Sequence, residues 1–488
     1  MNNYLYSRIE EMDSKWSSGA VQAGFSRDES FLAVSAPRSA PEGGGMYDYE
    51  FVSARCRPGT VRSGTVYLPS AFDRAKPAAL QVTFDGLRAV EPAVVETLVA
   101  EGAMPPAVLV GSRPGVFRAT REGGSDRSTR SPEYDGLGPS LPDLIVDEFL
   151  PALERALGIS FSPDPNLHAA TGCSSGGIAS WNACWERNDF FRRCYINSPT
   201  FSSFRGGDCY PFLIRKYETK PIRCYITAGT DDMRNSAGDW HLEAESAKEA
   251  LAFAGYEFEY ECFENGPHGA GNGDPEVLAR ALRFAWKDWA TRPVGILHLP
   301  PRVADIVSPD TAWESTDEPL PGYADAGGYS FEGNRIFLNG PGGVRRCVAE
   351  LPDEISAIAR SSDGWRLYVG MPSRRFVYAF AMGPDGSLLD GYPHGHLHVA
   401  DDVVRPGAFG LAVDTGDRVY AATELGVQTI SQQGENNTVL SLPRSRPVVS
   451  VAFGGSRLFV RTATGETYAR PVLTSPATGL TPPDTPPF

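Results

Sequence analysis

Residues 168–177 read His-Ala-Ala-Thr-Gly-Cys-Ser-Ser-Gly-Gly. The run from His168 to Gly172 predicts a strand and the residues after Gly176 predict a helix, so Ser174 falls in the tight turn between them. The flanking glycines permit a strained backbone and let neighbouring chain pass closely. A strand, turn and helix of this kind form a nucleophile elbow, which presents a serine hydroxyl at the end of a sheet. We therefore expect an α/β domain in which Ser174 is a nucleophile.

Strand-like and helix-like segments alternate on both sides of this turn, which predicts a mostly parallel sheet covered by helices. The predicted strands are 79–84, 107–111, 168–172, 194–197, 222–228 and 258–263. Apolar side chains recur at close to helical spacing over 140–157 and 275–289. This order predicts one α/β-hydrolase domain over residues 1–295.

A serine hydroxyl needs a base to remove its proton, and the base needs a carboxylate to orient it. His268 follows the last predicted strand, in a Gly-Pro-His-Gly loop, and is the preferred base. The other histidines fit less well, because they fall in a strand, on a helix close behind an acidic pair, in a linker, or in the second half of the chain. They are His168, His241, His298, His394, His396 and His398.

The expected carboxylate follows the strand before that one, where Asp231 and Asp232 come directly after Ala-Gly-Thr. Either could serve, and we favour Asp232, with Asp231 capping the turn or facing solvent. The order serine, aspartate, histidine along the chain is the one that hydrolases with a nucleophile elbow use. An oxyanion hole is expected from the N–H of Ser175 and that of Gly86 or Leu87, which follow the strand 79–84.

The second half of the chain repeats a short pattern of Gly-x-Arg-apolar-aromatic-apolar. It begins at Gly333, Gly364, Gly416 and Gly455, with spacings that average near the length of one propeller blade. No long amphipathic helix is predicted there. We expect a linker over 296–324, an all-β incomplete propeller over 325–474 and a disordered Pro-rich tail over 475–488.

Composition narrows the partners and the compartment. Lys and Arg total 45 against 60 Asp and Glu, and the net charge of −15 repels nucleic acid and anionic membrane surfaces. The chain has no evident signal peptide or membrane span, so we expect a cytoplasmic protein. Its eight cysteines form no C-x-x-C pair and predict buried free thiols rather than a disulfide framework.

Residues 45–292 resemble the esterase D and enterochelin-esterase-like α/β-hydrolases, a group that includes acetylxylan and feruloyl esterases. The matching segments are Gly64-Thr65-Val66-Tyr67-Leu68-Pro69-Ser70, Arg130-Ser131-Pro132-Glu133-Tyr134-Asp135, Ser174-Ser175-Gly176-Gly177, Trp185-Glu186-Arg187, Cys209-Tyr210-Pro211-Phe212-Leu213-Ile214-Arg215-Lys216, Gly238-Asp239-Trp240 and Ala250-Leu251-Ala252-Phe253-Ala254-Gly255-Tyr256. The resemblance implies a serine carboxylic ester hydrolase that works through an acyl-enzyme, without metal or cofactor. In relatives the histidine loop often reads Gly-Gly-His-Ser, whereas here Pro267 precedes His268 and Gly269 follows it.

The resemblance leaves the substrate open beyond a small-molecule ester. Asp85, Arg130 and Trp240 are expected to bind it. The arginine-rich stretch from Arg113 to Arg130 is a candidate mobile loop near the pocket, where an anionic substrate group could pair with an arginine, but a solvated charged loop is the favoured interpretation. Two alternatives remain, a lactone, thioester or amide hydrolase of a biosynthetic or siderophore pathway, and an inactive binding or scaffold protein. A homo-oligomer is possible in each case.

Residues 325–470 resemble the later blades of gluconolactonase and regucalcin propellers, notably in Ser362-Asp363-Gly364-Trp365-Arg366-Leu367-Tyr368, Pro384-Asp385-Gly386-Ser387-Leu388, His396-Leu397-His398-Val399 and Ala421-Ala422-Thr423-Glu424-Leu425-Gly426-Val427-Gln428. Those lactonases hold a divalent cation with oxygen ligands. Here Ala357 and Phe409 stand at matching positions, and a hard cation needs oxygen ligands, so we expect no lactonase metal site. The alternating His394, His396 and His398 could bind a transition metal, but alternation on a strand has structural causes too. The propeller is expected to have no chemistry of its own.

Overall fold

The computed structural model describes residues 30–39, 44–121, 123–322, 326–399, 405–443 and 446–477. The chain divides into two compact units, the first formed by residues 1–215 and 219–298, the second by 216–218 and 299–488. The strands of the first unit are β1 (Phe31–Val34), β2 (Arg38–Ser39), β3 (Gly45–Val52), β4 (Val61–Leu68), β5 (Leu80–Phe84), β6 (Val108–Ser112), β7 (Val116–Phe117), β8 (Arg127–Ser128), β9 (His168–Cys173), β10 (Arg193–Asn197), β11 (Arg223–Gly229), β12 (Arg234–Asn235), β13 (Gly238–Asp239) and β14 (Glu257–Phe263).

The main sheet of this unit has the strand order β1-β3-β4-β6-β5-β9-β10-β11-β14. Strands β6, β5, β9, β10, β11 and β14 run parallel to one another, and β1, β3 and β4 add an antiparallel edge. The central strands are buried on both faces, as parallel strands covered by helices must be. The prediction of a mostly parallel sheet is confirmed, and each of the six predicted strands lies within one residue of its observed bounds.

Eight α-helices of the described residues belong to this unit, and aspartate side chains cap the N-termini of two of them. They are α1 (Glu91–Ala100), α2 (Arg130–Tyr134), α3 (Ser140–Asp143), α4 (Leu150–Leu157), α5 (Ser175–Glu186), α6 (Tyr210–Lys216), α7 (Trp240–Ala254) and α8 (Pro275–Ala285), and a π-helical turn, Leu144–Phe149, joins α3 to α4. Asp239 caps α7 and Asp274 caps α8, each by accepting two backbone N–H bonds. No helix in the described ranges has the length and apolar character to cross a bilayer.

The arginine-rich stretch predicted as a loop contains a short hairpin. β7 pairs with β8 and also with β4 of the main sheet. Arg118 pairs at 2.8 Å with Asp126 and with Glu50, so this arginine is held by two carboxylates. Backbone pairing and these ion pairs therefore organise a segment whose composition alone suggested a loop.

The second unit consists of antiparallel sheets that follow one another along the chain. Its elements are α9 (Pro301–Ala304), β15 (Glu314–Ser315), β16 (Tyr329–Glu332), β17 (Arg335–Asn339), β18 (Arg345–Glu350), β19 (Ala357–Arg360), β20 (Arg366–Gly370), β21 (Phe376–Met382), β22 (Leu388–His396), β23 (Gly410–Val413), β24 (Val419–Thr423), β25 (Gly426–Ile430), β26 (Asn436–Leu440), β27 (Val448–Gly454), β28 (Arg457–Thr462) and β29 (Thr467–Pro471). The sheets are β16-β17-β18, β19-β20-β21-β22, β23-β24-β25-β26 and β15-β29-β28-β27. Strand β19 contacts β23, and β23 contacts β27. The described sheets do not close on themselves.

The repeated Gly-x-Arg pattern occurs once in each of these sheets. In every copy the arginine lies at or just before the start of the second strand, β17, β20, β24 or β28. Gly333, Gly364 and Gly455 have positive φ angles, which the tight turn between two antiparallel strands requires. In the third copy the left-handed position falls instead on Asp417, at φ 58°. The repeat therefore marks the same turn in successive sheets.

The predicted linker and tail both contribute structure to the second unit. Leu299, Val303, Ile306 and Val307 are buried in one of its apolar clusters, and β15 pairs with β29, so much of 296–324 is not a free linker. These four apolar residues recur at close to helical spacing, so they share one face that packs against the rest of the second unit, which a free linker would not do. At the other end, residues 475–477 pair with 413–415, which places ordered backbone beyond the predicted boundary. Residues 478–488 of the predicted tail lie outside the described residues.

The eight cysteines are all free. Cys184, Cys194 and Cys224 are buried, as predicted. Cys262 and Cys347 are exposed, and the expectation of burial was wrong for them. Cys262 belongs to β14, which pairs with β11 alone among the described strands, and an edge strand has less cover than a central one.

Candidate active site

The turn around Ser174 has the backbone that a nucleophile elbow requires. Ser174 takes φ 58° and ψ −123°, a conformation that costs free energy for a residue with a side chain. A Cβ on Gly172 would lie 2.2 Å from the carbonyl oxygen of Gly176, so only glycine fits there. Helix α5 begins at Ser175, and its N-terminal end is directed at the turn. The sequence prediction of a strand, turn and helix at this point matches the observed elements.

Asp232 and His268 come together from two loops at the carboxyl end of the sheet. Asp232 follows β11 and His268 follows β14, its parallel neighbour. His268 Nδ1 lies 2.6 Å from Asp232 Oδ1, and the carboxylate is buried while the imidazole is one-quarter exposed. This contact leaves Nε2 as the imidazole nitrogen that can face a substrate or a hydroxyl. Asp231, the alternative acid, is exposed, and its N–H bonds to the carbonyl of Gly266.

The electrostatics of Asp232 favour its ionised form. Burial opposes ionisation, but contacts with His268, Ser198 and the N–H of Met233 outweigh burial and lower the pKa of Asp232. The Met233 N–H lies 2.6 Å from Oδ1. A carboxylate that stays charged next to an imidazole fixes the ring's tautomer and stabilises its protonated form.

Asn197, which the sequence analysis did not single out, connects the elbow to the histidine loop. It is the last residue of β10, and its carbonyl accepts the Ser174 N–H at 2.9 Å. Its side-chain amide donates to the Ala270 carbonyl at 2.7 Å. The signal that could have revealed it is its position, because a polar residue that ends a central parallel strand lies at the same sheet edge as the elbow.

Ser198 and Arg88 are two further residues that sequence reasoning missed. The hydroxyl of Ser198 accepts the Gly269 N–H at 3.0 Å, which holds the backbone just after His268. Arg88 donates to Asn272 Oδ1 at 2.8 Å and to Thr171 Oγ1 at 3.2 Å. Arg88 therefore ties the loop after β5 to both the elbow strand and the histidine loop.

The loop after β5, predicted to supply an oxyanion donor, lies against the start of α5. Asp85 and Gly86 both have positive φ angles, and a Cβ on Gly176 would lie 2.9 Å from Asp85 Oδ2. The loop also lines a cavity of about 190 Å³, together with Arg113. In the described chain no protein acceptor takes the N–H of Ser175, Gly86 or Leu87. Their assignment to an oxyanion hole stays a prediction.

Two of the three residues predicted to bind substrate pair with each other. Arg130 contacts Asp85 through two hydrogen bonds of 2.8 Å, and its third contact is with Ser175 Oγ at 2.9 Å. Ser175 Oγ in turn donates to Asp135 at 3.1 Å. Burial raises the pKa of Asp135, although the hydroxyls of Ser175 and Ser131 and the charge of Arg130 oppose the rise. The contacts of Arg130 with Asp85 and Ser175, called the Arg130 clamp below, fix the Asp85 loop relative to the elbow.

Trp240, the third predicted substrate residue, is the first residue of α7. Its indole is 3 % exposed and meets the His268 ring edge-on, with centroids 6.3 Å apart and planes at 88°. Packing of this kind limits the rotation of the imidazole. Contact of Trp240 with a substrate stays a prediction.

The remaining histidines occupy other environments. His168 is buried in β9, where Nδ1 lies 3.0 Å from the Phe190 carbonyl and burial lowers its pKa to about 4. His394 packs on Tyr368, with Nε2 3.2 Å from the Ser431 carbonyl. Among the described residues, His394, His396 and His398 do not form a group with three ligand atoms in reach of one metal.

Within the first unit, residues 57–272 match a known protein family. The model of the "Putative esterase" family matches residues 57–272, which are therefore an esterase-family domain. No curated protein sequence matches the chain significantly. A solved ferulic acid esterase is 16 % identical over 53 % of this chain and 99 % of its own, with a TM-score of 0.37. An S-formylglutathione hydrolase from Agrobacterium tumefaciens is 14 % identical over 52 % and 99 %, also with a TM-score of 0.37.

The second unit has similarities of its own. A gluconolactonase from Xanthomonas campestris is 23 % identical over 29 % of this chain, with a TM-score of 0.23. The aligned part spans 46 % of that gluconolactonase, which is less than half its length.

Proposed function

We propose that the esterase-family domain is a serine-dependent carboxylic ester hydrolase that forms an acyl-enzyme on Ser174, with His268 as general base and Asp232 as its orienting carboxylate. The observation that carries the proposal is the combination of the strained backbone at Ser174 with the 2.6 Å contact between His268 and Asp232. Backbone strain of this kind persists where the surrounding structure imposes it, and such positions concentrate at active sites.

The proposed reaction has two halves. In the first, Ser174 Oγ attacks the ester carbonyl while His268 Nε2 takes the hydroxyl proton, and that proton then passes to the departing alcohol. In the second, water attacks the acyl-enzyme, His268 takes the proton of the water, and the acid leaves as Ser174 regains its proton. Asp232 stays ionised throughout and stabilises the imidazolium, which is consistent with its lowered pKa.

The developing oxyanion needs donors that are fixed before the reaction begins. We propose the Ser175 N–H at the start of α5 and the N–H of Gly86 or Leu87. Support comes from the Arg130 clamp, which holds both segments at once through Asp85 and the Ser175 hydroxyl. Loss of one oxyanion donor typically raises the barrier by about 3 kcal/mol.

The second unit is proposed to be an incomplete β-propeller without chemistry of its own. Its support is the succession of antiparallel sheets whose first strands contact one another, β19 with β23 and β23 with β27. The side chains at Ala357 and Phe409 belong to apolar clusters and offer no oxygen ligand for a hard cation.

The deciding experiment compares the Ser174→Ala protein with the wild type in two assays. Hydrolysis of p-nitrophenyl acetate measures ester turnover, and a fluorophosphonate probe measures covalent labelling of the nucleophile. We expect loss of both turnover and covalent labelling. The matched control is Ser203→Ala, an exposed serine of the same unit, which should keep both. Wild-type turnover by Ser174→Ala would refute the proposal, and a panel of aryl esters, lactones, thioesters and amides on the wild-type protein would define the bond that is cleaved.

A further inference from the structure

A second cluster of reactive side chains lies on the outer edge of the first unit, where α7 packs beside the edge strand β14. His241 and Glu245 are four residues apart on α7 and therefore share one face of the helix. Cys262 belongs to β14. One ligand atom from each of the three residues lies within 4.8 Å of the other two, and Cys262 Sγ is 3.9 Å from His241 Nδ1.

These donor types and distances suit one kind of ion. A thiolate, an imidazole and a carboxylate are the ligands that Zn²⁺ binds in proteins, with bonds of about 2.3 Å to sulfur and about 2.0–2.1 Å to nitrogen. Tetrahedral geometry with those bonds places sulfur and nitrogen about 3.6 Å apart. The observed separation is 3.9 Å, so a shift of a few tenths of an ångström would complete the contact. Calcium and magnesium prefer oxygen ligands and suit this set poorly.

The neighbours of the cluster orient its ligands. Lys248 Nζ donates to Glu245 Oε2 at 2.6 Å, which fixes the carboxylate and leaves its other oxygen for a second contact. Tyr260, also on β14, lies beside Glu245 and Cys262. Groups that hold the ligands in place are a regular part of metal sites. The positive charge of Lys248 also opposes a cation, so it should weaken binding.

We infer that His241, Glu245 and Cys262 form a site for Zn²⁺ or a similar divalent transition metal, with water as the fourth ligand, and that the ion joins α7 to β14. This site is separate from Ser174, and its existence does not depend on the proposed esterase activity. A bound ion would stabilise the folded state, because the unfolded chain does not hold three ligands in this arrangement.

Cobalt(II) titration of the full-length protein tests the inference, because a thiolate ligand gives Co²⁺ an intense near-ultraviolet charge-transfer band. We expect one Co²⁺ per chain with that band, displaced by Zn²⁺, and a Zn²⁺-dependent rise in Tm. Cys262→Ser should lose the band and the rise in Tm. Cys347→Ser, which removes the exposed cysteine of the second unit, should keep both.

Variants of the other two ligands test whether the thiol acts alone. His241→Ala and Glu245→Gln should each weaken Co²⁺ binding at least tenfold, and Lys248→Met should strengthen it. Three results would each overturn the inference: a charge-transfer band that survives in Cys262→Ser, one that disappears in Cys347→Ser, or wild-type affinity in both His241→Ala and Glu245→Gln. Because Lys248→Met keeps all three ligands, tighter binding by that variant cannot arise from loss of folding and reports the charge at the site itself.

Discussion

The ion pair between Arg62 and Glu133 is the most informative place to perturb the scaffold behind the site. Arg62 Nη2 lies 2.6 Å from Glu133 Oε2, and the two side chains are 1 % and 0 % exposed. Glu133 also accepts bonds from Thr129 Oγ1 at 2.7 Å and from the Gly115 N–H at 3.1 Å. Because Glu133 lies in α2, which begins with Arg130, the pair anchors the clamp at the elbow.

We expect Arg62→Met to lower the free energy of unfolding of the first unit by about 3–5 kcal/mol at pH 7. Removing one partner of a buried pair leaves an uncompensated charge, and the typical cost has that size. Glu133 keeps two neutral donors, which do not replace the lost positive charge. The double variant Arg62→Met with Glu133→Gln should recover part of the loss, because the second change removes the stranded carboxylate.

The pKa of Glu133 predicts how the penalty of Arg62→Met changes with pH. Burial alone would raise the pKa of Glu133, but Arg62, Thr129 and the Gly115 N–H lower it below its ordinary value of 4.5. In the wild type its stabilising contribution is therefore present above about pH 4.5 and is lost as the pH falls through the lower folded-state pKa. In Arg62→Met the folded-state pKa of Glu133 should rise instead, so the penalty of the substitution should shrink on acidification from pH 7 to pH 5.

Urea-induced unfolding followed by tryptophan fluorescence measures these differences on the full-length protein. The matched control is Arg335→Met, because Arg335 pairs with Glu350 at 3.1 Å and both side chains are more than half exposed. An exposed pair contributes about 0–1 kcal/mol, so this change should be small. A loss below 1 kcal/mol in Arg62→Met, or an equal penalty at pH 5 and pH 7, would refute the reasoning.

Three further substitutions test individual contacts. Asp232→Asn should lower kcat for p-nitrophenyl acetate by on the order of 10⁴-fold with normal folding, since the imidazole loses its charged partner; a decrease of less than tenfold contradicts this role. Gly172→Ala should lower Tm sharply because its Cβ would lie 2.2 Å from a backbone oxygen. Gly102 has φ 70° and open space around it, so Gly102→Ala should lower the free energy of unfolding by only about 1 kcal/mol and change Tm less. Arg88→Met should lower kcat and Tm together, because the buried Glu91 loses its cation; unchanged values in both measurements would exclude Arg88 as a tie between the loops.

Local patterns in the sequence were sufficient to predict the elements that bear the site. Each predicted strand of the central sheet was within one residue of the observed strand, because a buried parallel strand needs a short apolar run that turn residues interrupt. Ser174 was recognisable from the glycines on either side of it, because the tight turn leaves no room for a side chain at Gly172. The linker prediction over 296–324 was wrong in part, since short apolar segments there gain their burial only from strands far along the chain.

Contacts between distant segments could not be derived in this way. Asn197, Ser198 and Arg88 join loops that lie many residues apart, and nothing in their local sequence predicts those partners. The proximity of Cys262 to His241 likewise depends on how a helix lies beside an edge strand.

The sequence by itself determined the order of the α/β elements and the strand, turn and helix around Ser174, and it led to the prediction of His268 as the base, because each of these depends on spacing and residue type along the chain. Only the tertiary structure decided that Asp232 rather than Asp231 faces His268, and that Arg130 binds Asp85 and Ser175. The physical reason is that side-chain partners follow from the direction in which each loop leaves the sheet, and packing across the whole domain sets that direction.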